Sequence, residues 1–148
     1  MNIGWMYQAG KGVKKSLKLA IHHLEIARGL GAEEANYYLG MALRENGDFS
    51  HALECLTKCV DTNPSAMYWA GSMYLHGEGI TRDPVRAKEL LERAAKAGHA
   101  FAKRDLALGR IRGSFGKREV LGGVWAWVKA VSAGIGSISK DANSHQVN

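Results

Sequence analysis

His51, Cys55 and Cys59 carry metal-binding side chains at intervals of four residues. On an α-helix this spacing keeps an imidazole and two thiolates near one face, where they can coordinate a zinc ion. However, the two cysteines align with Leu90 and Ala94, which are apolar core positions in a second copy of the same sequence pattern. We therefore predict buried, reduced structural thiols and no metal site.

Other chemical motifs are weak. Residues 113–118, GSFGKR, resemble a phosphate-binding loop but lack its first glycine and the hydroxyl residue after Lys117. The motifs Gly-x-Ser-x-Gly, His-Glu-x-x-His and Cys-x-x-Cys are absent from the sequence. Because no nucleophile and base can be paired, we predict a non-enzymatic protein with no catalytic residue and no cofactor.

The charge is distributed in blocks. The 148 residues carry a net charge of +6, with +4 in residues 1–32, −4 in 33–65 and +5 in 101–148. A nucleic-acid-binding protein more often has one continuous basic face, so we predict no nucleic-acid partner and leave head-to-tail self-association open. Residues 1–20 lack the uninterrupted apolar stretch of a secretory signal, which favours a cytoplasmic location.

An internal repeat organises the chain. GWMYQAGKGV from Gly4 to Val13 aligns without gaps to GSMYLHGEGI from Gly71 to Ile80, with five identities in ten positions. Weaker copies begin near Leu39 and Leu106, and their anchor residues recur about every 32–36 positions. This period predicts an all-α fold, an α-solenoid of about four stacked antiparallel helix pairs of which the first is incomplete.

Small residues and capping residues support this prediction. Gly40 and Gly71 are expected to let the second helices approach closely at Ala52 and Ala87. We predict that the second helices begin at the N-caps Ser16, Asp48, Asp83 and Glu119 and end at Gly31, Asn63-Pro64, Gly98 and Gly134.

These motifs resemble the Sel-one-like repeat family, 36-residue relatives of tetratricopeptide repeats. The resemblance rests on the GKGV and GEGI turns, the DPVRA helix start and the AAKAGHA helix end, whereas residues 39–64 resemble a tetratricopeptide repeat. It implies a scaffold that binds other proteins on a concave surface formed by the first helices. Bacterial signalling, envelope and polysaccharide systems contain many such proteins. The predicted divisions are repeats in 1–118, an apolar helix in 119–138 and a disordered tail in 139–148.

Residues 120–138 are apolar apart from Lys129, and three interpretations stay open. The segment is the second helix of the fourth repeat, a membrane-surface segment, or a short transmembrane span; packing is favoured. The membrane-surface interpretation gives an alternative function, a membrane-peripheral scaffold of a bacterial envelope or polysaccharide assembly anchored by residues 110–138. Its membrane-contact residues are Arg110, Arg112, Lys117, Arg118, Trp125 and Trp127.

The favoured function is a protein-interaction adaptor that binds a peptide or helical segment of another protein. Aromatic and methionine side chains on the first helices would supply affinity, and arginines would bind carboxylates. The predicted partner-binding residues are Trp5, Gln8, Tyr37, Met41, Arg44, Tyr68, Ser72, His76, Arg104, Leu108 and Arg112.

Overall fold

The computed structural model describes residues 3–115, and within this range the regular structure is entirely helical. The chain divides into two compact units, Met1–Leu106 and Ala107–Asn148. Seven helices are present in the described range: α1 (Ile3–Ala9), α2 (Leu17–Gly29), α3 (Ala35–Glu45), α4 (Phe49–Thr57), α5 (Pro64–His76), α6 (Pro84–Lys96) and α7 (Ala100–Arg112). The first six form three successive pairs, which confirms the predicted fold class of stacked helix pairs.

Glycine allows the two helices of each pair to touch. A Cβ placed on Gly40 would lie 2.8 Å from Leu56 Cγ and 3.1 Å from the carbonyl oxygen of Ala52. On Gly71 it would lie 3.1 Å from Leu91 Cγ. The predicted close approach of the two helices is therefore confirmed. Ala52 takes part in this contact through its backbone carbonyl oxygen.

The turns of the first and third repeats have the same conformation. Gly10 and Gly12 have φ angles of 66° and 75°, and Gly77 and Gly79 both have 74°. The hydrogen bonds are also equivalent: Ser16 N donates to the Tyr7 carbonyl at 3.0 Å, as Asp83 N does to that of Tyr74 at 2.9 Å. Positive φ explains the paired glycines in these turns.

Three predicted N-caps are confirmed. The Ser16 side chain accepts from Leu19 N, that of Asp48 from His51 N, and that of Asp83 from Val85 N and Arg86 N. Glu119 and Gly134 lie outside the described residues.

One predicted boundary is wrong. Asn63-Pro64 does not end α4, which stops at Thr57; Asn63 instead caps α5 and Pro64 is its first residue. Turns connect the two helices, with hydrogen bonds from Cys59 N to the Leu56 carbonyl at 3.1 Å and from Asn63 N to the Cys59 carbonyl at 3.0 Å. The predicted second helix of the fourth repeat, in 119–138, lies outside the described residues.

Candidate protein-binding surface

Four of the predicted partner-binding residues line one groove. Trp5 and Gln8 lie on α1, and Tyr37 and Met41 lie on α3, the first helix of the next repeat. With Ala9, Tyr38 and Glu45 they enclose a volume of about 300 Å³, which we name the α1–α3 groove. The helical repeat thus brings together side chains that are about thirty residues apart in sequence.

One wall of the groove is aromatic. Tyr37 meets Tyr38 edge to face, with ring centroids 5.2 Å apart. Burial raises the pKa of the Tyr37 hydroxyl, and hydrogen bonding to Ser65 and Trp69 of α5 partly offsets this rise. Trp5, Gln8 and Met41 are each partly exposed and therefore accessible.

Two lysines flank the groove. The Lys11 ammonium lies over the Trp5 ring, 5.4 Å from its centroid, and holds a positive charge beside the indole. Lys15 forms an ion pair with Glu45 that links the first two repeats. Because both partners of that pair are well exposed, the pair adds little to stability.

Arg44 occupies a different setting between α3 and α5. Its Nε and Nη2 donate to the two carboxylate oxygens of Glu78 at 2.8 and 3.1 Å, and its guanidinium lies 4.7 Å from the Trp69 ring centroid. We name Arg44, Glu78 and Trp69 the α3–α5 contact. A ligand carboxylate would have to compete with Glu78 for this arginine.

Tyr68 and Arg104 also have partners within the chain. Tyr68 is only 8% exposed, and its hydroxyl donates to Asp105 at 3.0 Å while its ring stacks on His99 at 4.6 Å. Burial raises the pKa of this hydroxyl, and Asp105 raises it further. Arg104 Nε donates to the other oxygen of Asp105 at 2.8 Å. Tyr68 therefore packs between neighbouring helices.

The remaining predicted residues are spread along α5 and α7. His76 Nδ1 donates to the Ser72 carbonyl oxygen at 2.8 Å on the last turn of α5. Leu108 and Arg112 are exposed and belong to the second compact unit. Arg110 is also exposed on α7, whereas Lys117, Arg118, Trp125 and Trp127 lie outside the described residues. The membrane-contact hypothesis stays a prediction.

His51, Cys55 and Cys59, the residues with metal-binding side chains, have structural surroundings. His51 pairs with Asp48 at 2.8 Å, while Cys55 and Cys59 are buried free thiols. Burial raises the pKa of Cys59 to about 11, so its thiol is protonated at neutral pH. Within residues 3–115, no cluster of three or more His, Cys, Asp or Glu side chains is placed to hold a metal ion. In the same range, no helix combines the length and apolarity needed to cross a membrane.

Sequence reasoning missed the α3–α5 contact and the Tyr68–Asp105 hydrogen bond. The sequence does contain one signal, because Glu78 is a charged residue held between two glycines with positive φ. Such a rigid turn fixes where the carboxylate points. Its partner depends on how adjacent repeats stack, which the spacing alone does not give.

Comparison with known proteins agrees with this architecture. The fold defines a helical-repeat protein of the tetratricopeptide-like class. The Sel1 repeat family model matches residues 1–31 and 64–99, and the tetratricopeptide repeat model matches residues 33–66. The chain therefore belongs to the Sel1-like, tetratricopeptide-like repeat family, whose members generally act as protein–protein interaction scaffolds.

Two solved structures share the fold. A Sel1 repeat protein from Oxalobacter formigenes is 24% identical, with a TM-score of 0.64 over 80% of this chain and 53% of its own. A protective antigen of uropathogenic Escherichia coli with an SLR fold is also 24% identical, with a TM-score of 0.66 over 78% of this chain and 26% of its own. This chain thus spans about half of the first structure and a quarter of the second.

Proposed function

We propose that this protein is a non-enzymatic interaction scaffold that binds a peptide segment of another protein in the α1–α3 groove. The observation that carries the proposal is the meeting of Trp5, Gln8, Tyr37 and Met41 from two successive repeats in one accessible groove. Binding sites in repeat proteins commonly form in this way, since each repeat supplies only part of the surface.

The lining indicates the kind of ligand. Tryptophan, tyrosine and methionine provide large contact areas and adapt to apolar side chains, so an aromatic or aliphatic anchor is the expected central residue. Lys11 beside Trp5 favours an acidic residue next to that anchor. We therefore expect a short segment with one apolar anchor and a neighbouring carboxylate.

Ion pairs within the protein limit which arginines of the first helices can bind a ligand. Arg44 is held by Glu78 and Arg104 by Asp105. Removing Arg44 from Glu78 would break both of their hydrogen bonds, and removing Arg104 from Asp105 would leave that carboxylate with the Tyr68 hydroxyl, so both steps oppose ligand binding there. The ligand is therefore expected to depend on α1 and α3 more than on α5 and α7.

Peptide selection on the intact chain tests the proposal. A phage-displayed library of random peptides is selected on the full-length protein, and the enriched peptides are measured by fluorescence anisotropy against variants. We expect Trp5→Ala with Met41→Ala to weaken binding at least about tenfold, as truncation of central aromatic anchors does. Val85→Ala, which truncates a 76% exposed residue on α6, is the matched control and should leave binding unchanged. Equal binding to the groove variant and the wild type would refute the proposed groove.

A further inference from the structure

The α1–α3 groove contains a glutamine, Gln8, on its α1 wall. Its side chain lines the groove and is partly exposed. Within residues 3–115, no group forms a hydrogen bond or an ion pair with this carboxamide. Glu45, the carboxylate of the lining, is already paired with Lys15. The groove thus holds a hydrogen-bond donor and an acceptor that the described residues leave unpaired.

The equivalent position in the second repeat shows how such a side chain is used. Gln8 is the counterpart of Arg44, since each lies four residues after the aligned glycine of its helix. In the α3–α5 contact, the Arg44 guanidinium lies over the Trp69 ring. It also holds both carboxylate oxygens of Glu78, at 2.8 and 3.1 Å. A side chain at this position therefore makes a two-atom contact with chain that crosses the next first helix.

The same place one repeat earlier can receive a ligand. Tyr38, the counterpart of the tryptophan in the α3–α5 contact, lines the α1–α3 groove. The turn after α3 consists of residues 46–48 alone, so it is shorter than the turn that carries Glu78. A ligand in the groove would therefore meet Gln8 where, one repeat later, Glu78 meets Arg44.

The replacement of arginine by glutamine changes the ligand group that fits this place. A guanidinium only donates hydrogen bonds and matches two oxygens, whereas a carboxamide donates from Nε2 and accepts at Oε1. Its complement is another amide, with an N–H and a C=O side by side. In an extended chain the N–H and C=O of one residue point the same way, as in the hydrogen-bonded pairs of an antiparallel sheet. An α-helix does not offer this pair, because its own turns use both groups.

The size of the groove also favours an extended chain. Its volume of about 300 Å³ lies at the lower limit of ordinary ligand sites, which enclose about 300–1,000 Å³. An α-helix with its side chains is about 10–12 Å across and needs a wider groove. A short stretch of extended backbone with an apolar side chain therefore fits this groove better than a helix does.

We propose that Gln8 binds the main-chain amide of an extended peptide segment. Its Nε2 donates to the carbonyl oxygen of one ligand residue, and its Oε1 accepts from the N–H of the same residue. This inference rests on the proposed function, because it assigns a role within the α1–α3 groove. Trp5 and Met41 then contact the ligand side chain, while Gln8 fixes the direction and register of the ligand backbone. A ligand that lacks either amide group is disfavoured, since binding would bury an unpaired carboxamide.

Amide-to-ester replacement in a bound peptide tests this contact. In a peptide selected on the full-length protein, each backbone N–H is replaced in turn by an ester oxygen, which removes the donor without adding bulk. Affinities for the wild type and for Gln8→Met, which keeps the side-chain length but removes both polar atoms, are measured by fluorescence anisotropy. We expect the ester at one position to weaken binding to the wild type at least about tenfold and binding to Gln8→Met less than about twofold. Equal losses in both proteins at every position would overturn the proposal.

Further variants separate this proposal from the proposed function. Binding that is lost in Trp5→Ala with Met41→Ala but unchanged in Gln8→Met would retain the groove and overturn the role of Gln8. Equal binding of the wild type and both variants would refute the groove itself. Coupling of Gln8→Met to an asparagine or glutamine side chain of the peptide, with no coupling to any ester, would overturn the main-chain assignment. Val85→Ala is the control and should bind every peptide as the wild type does.

Discussion

The α1–α3 groove and the α3–α5 contact are equivalent junctions between successive first helices, yet one is open and the other is covered. The difference follows from turn length. Residues 77–83 connect α5 to α6 and bring Glu78 back to Arg44 and Trp69, whereas α3 and α4 are joined by only residues 46–48. The carboxylate in that shorter turn, Asp48, caps α4, and Gln8, the counterpart of Arg44, lines the open groove. The short turn after α3 thus leaves the α1–α3 groove open, whereas the long turn after α5 covers the junction between α3 and α5.

The largest expected effect comes from separating α3 from α4, because α3 borders both the α1–α3 groove and the α3–α5 contact. Gly40→Val places a branched side chain where Leu56 Cγ and the Ala52 carbonyl already lie within 3.1 Å of a Cβ. We expect the free energy of unfolding, measured with urea, to fall by about 3 kcal/mol because α3 and α4 must separate.

Gly29 gives the matched control, because it is also helical but has no atom within 4 Å of an added Cβ. Gly29→Ala is expected to stabilise the protein by about 0.5–1 kcal/mol through helix propensity. A Gly40→Val protein as stable as the wild type would show that close helix approach is not needed.

The two cysteines pack in different core clusters, and the pH dependence of stability can test how each is buried. Cys59 packs in the cluster with Ala66 and Ala70, and Cys55 in the cluster with Leu24 and Leu39. Burial raises the pKa of both thiols, for Cys59 from 9.0 to about 11, while Arg28 partly offsets the effect at Cys55. The larger stabilisation by a neutral thiol is therefore expected at Cys59.

The sign follows from proton binding. Above pH 9 the unfolded thiol loses its proton first, so the stability that Cys59 contributes is complete below pH 9 and is lost as the pH rises through about 11. We expect this loss to be about 2 kcal/mol and to be absent in Cys59→Ala, measured as the pH slope of urea unfolding. The same slope in both proteins would contradict the prediction, and Cys55→Ala should change the slope less.

A smaller effect tests the α3–α5 contact itself. Arg44→Ala removes a bidentate ion pair and a cation–π contact that are about three-quarters buried, and we expect a loss of about 1–2 kcal/mol. A double-mutant cycle with Glu78→Gln should give a coupling energy near 1 kcal/mol. Additive effects of the two substitutions would mean that the pair does not hold the junction closed.

The spacing of residues in the sequence predicted which positions of successive repeats are equivalent. It also predicted the helix contacts and helix caps within each repeat. The alignment of Gly4 with Gly71, the alanines opposite the glycines and the caps at Asp48 and Asp83 all follow from backbone and steric rules within one repeat. Contacts between repeats were beyond these rules. The Glu78–Arg44 pair depends on turn length and stacking geometry together, so Arg44 was predicted as a ligand-binding residue although it already has a carboxylate partner.

Two tryptophans provide the most direct measurement of the proposed binding site. Trp5 lies in the open α1–α3 groove, and Trp69 lies beneath Arg44 in the α3–α5 contact. Isothermal titration of the full chain with a peptide selected on it should show at least about tenfold weaker affinity for Trp5→Ala. Trp69→Ala should lower stability and leave the affinity unchanged. Affinity lost in Trp69→Ala and retained in Trp5→Ala would contradict the account.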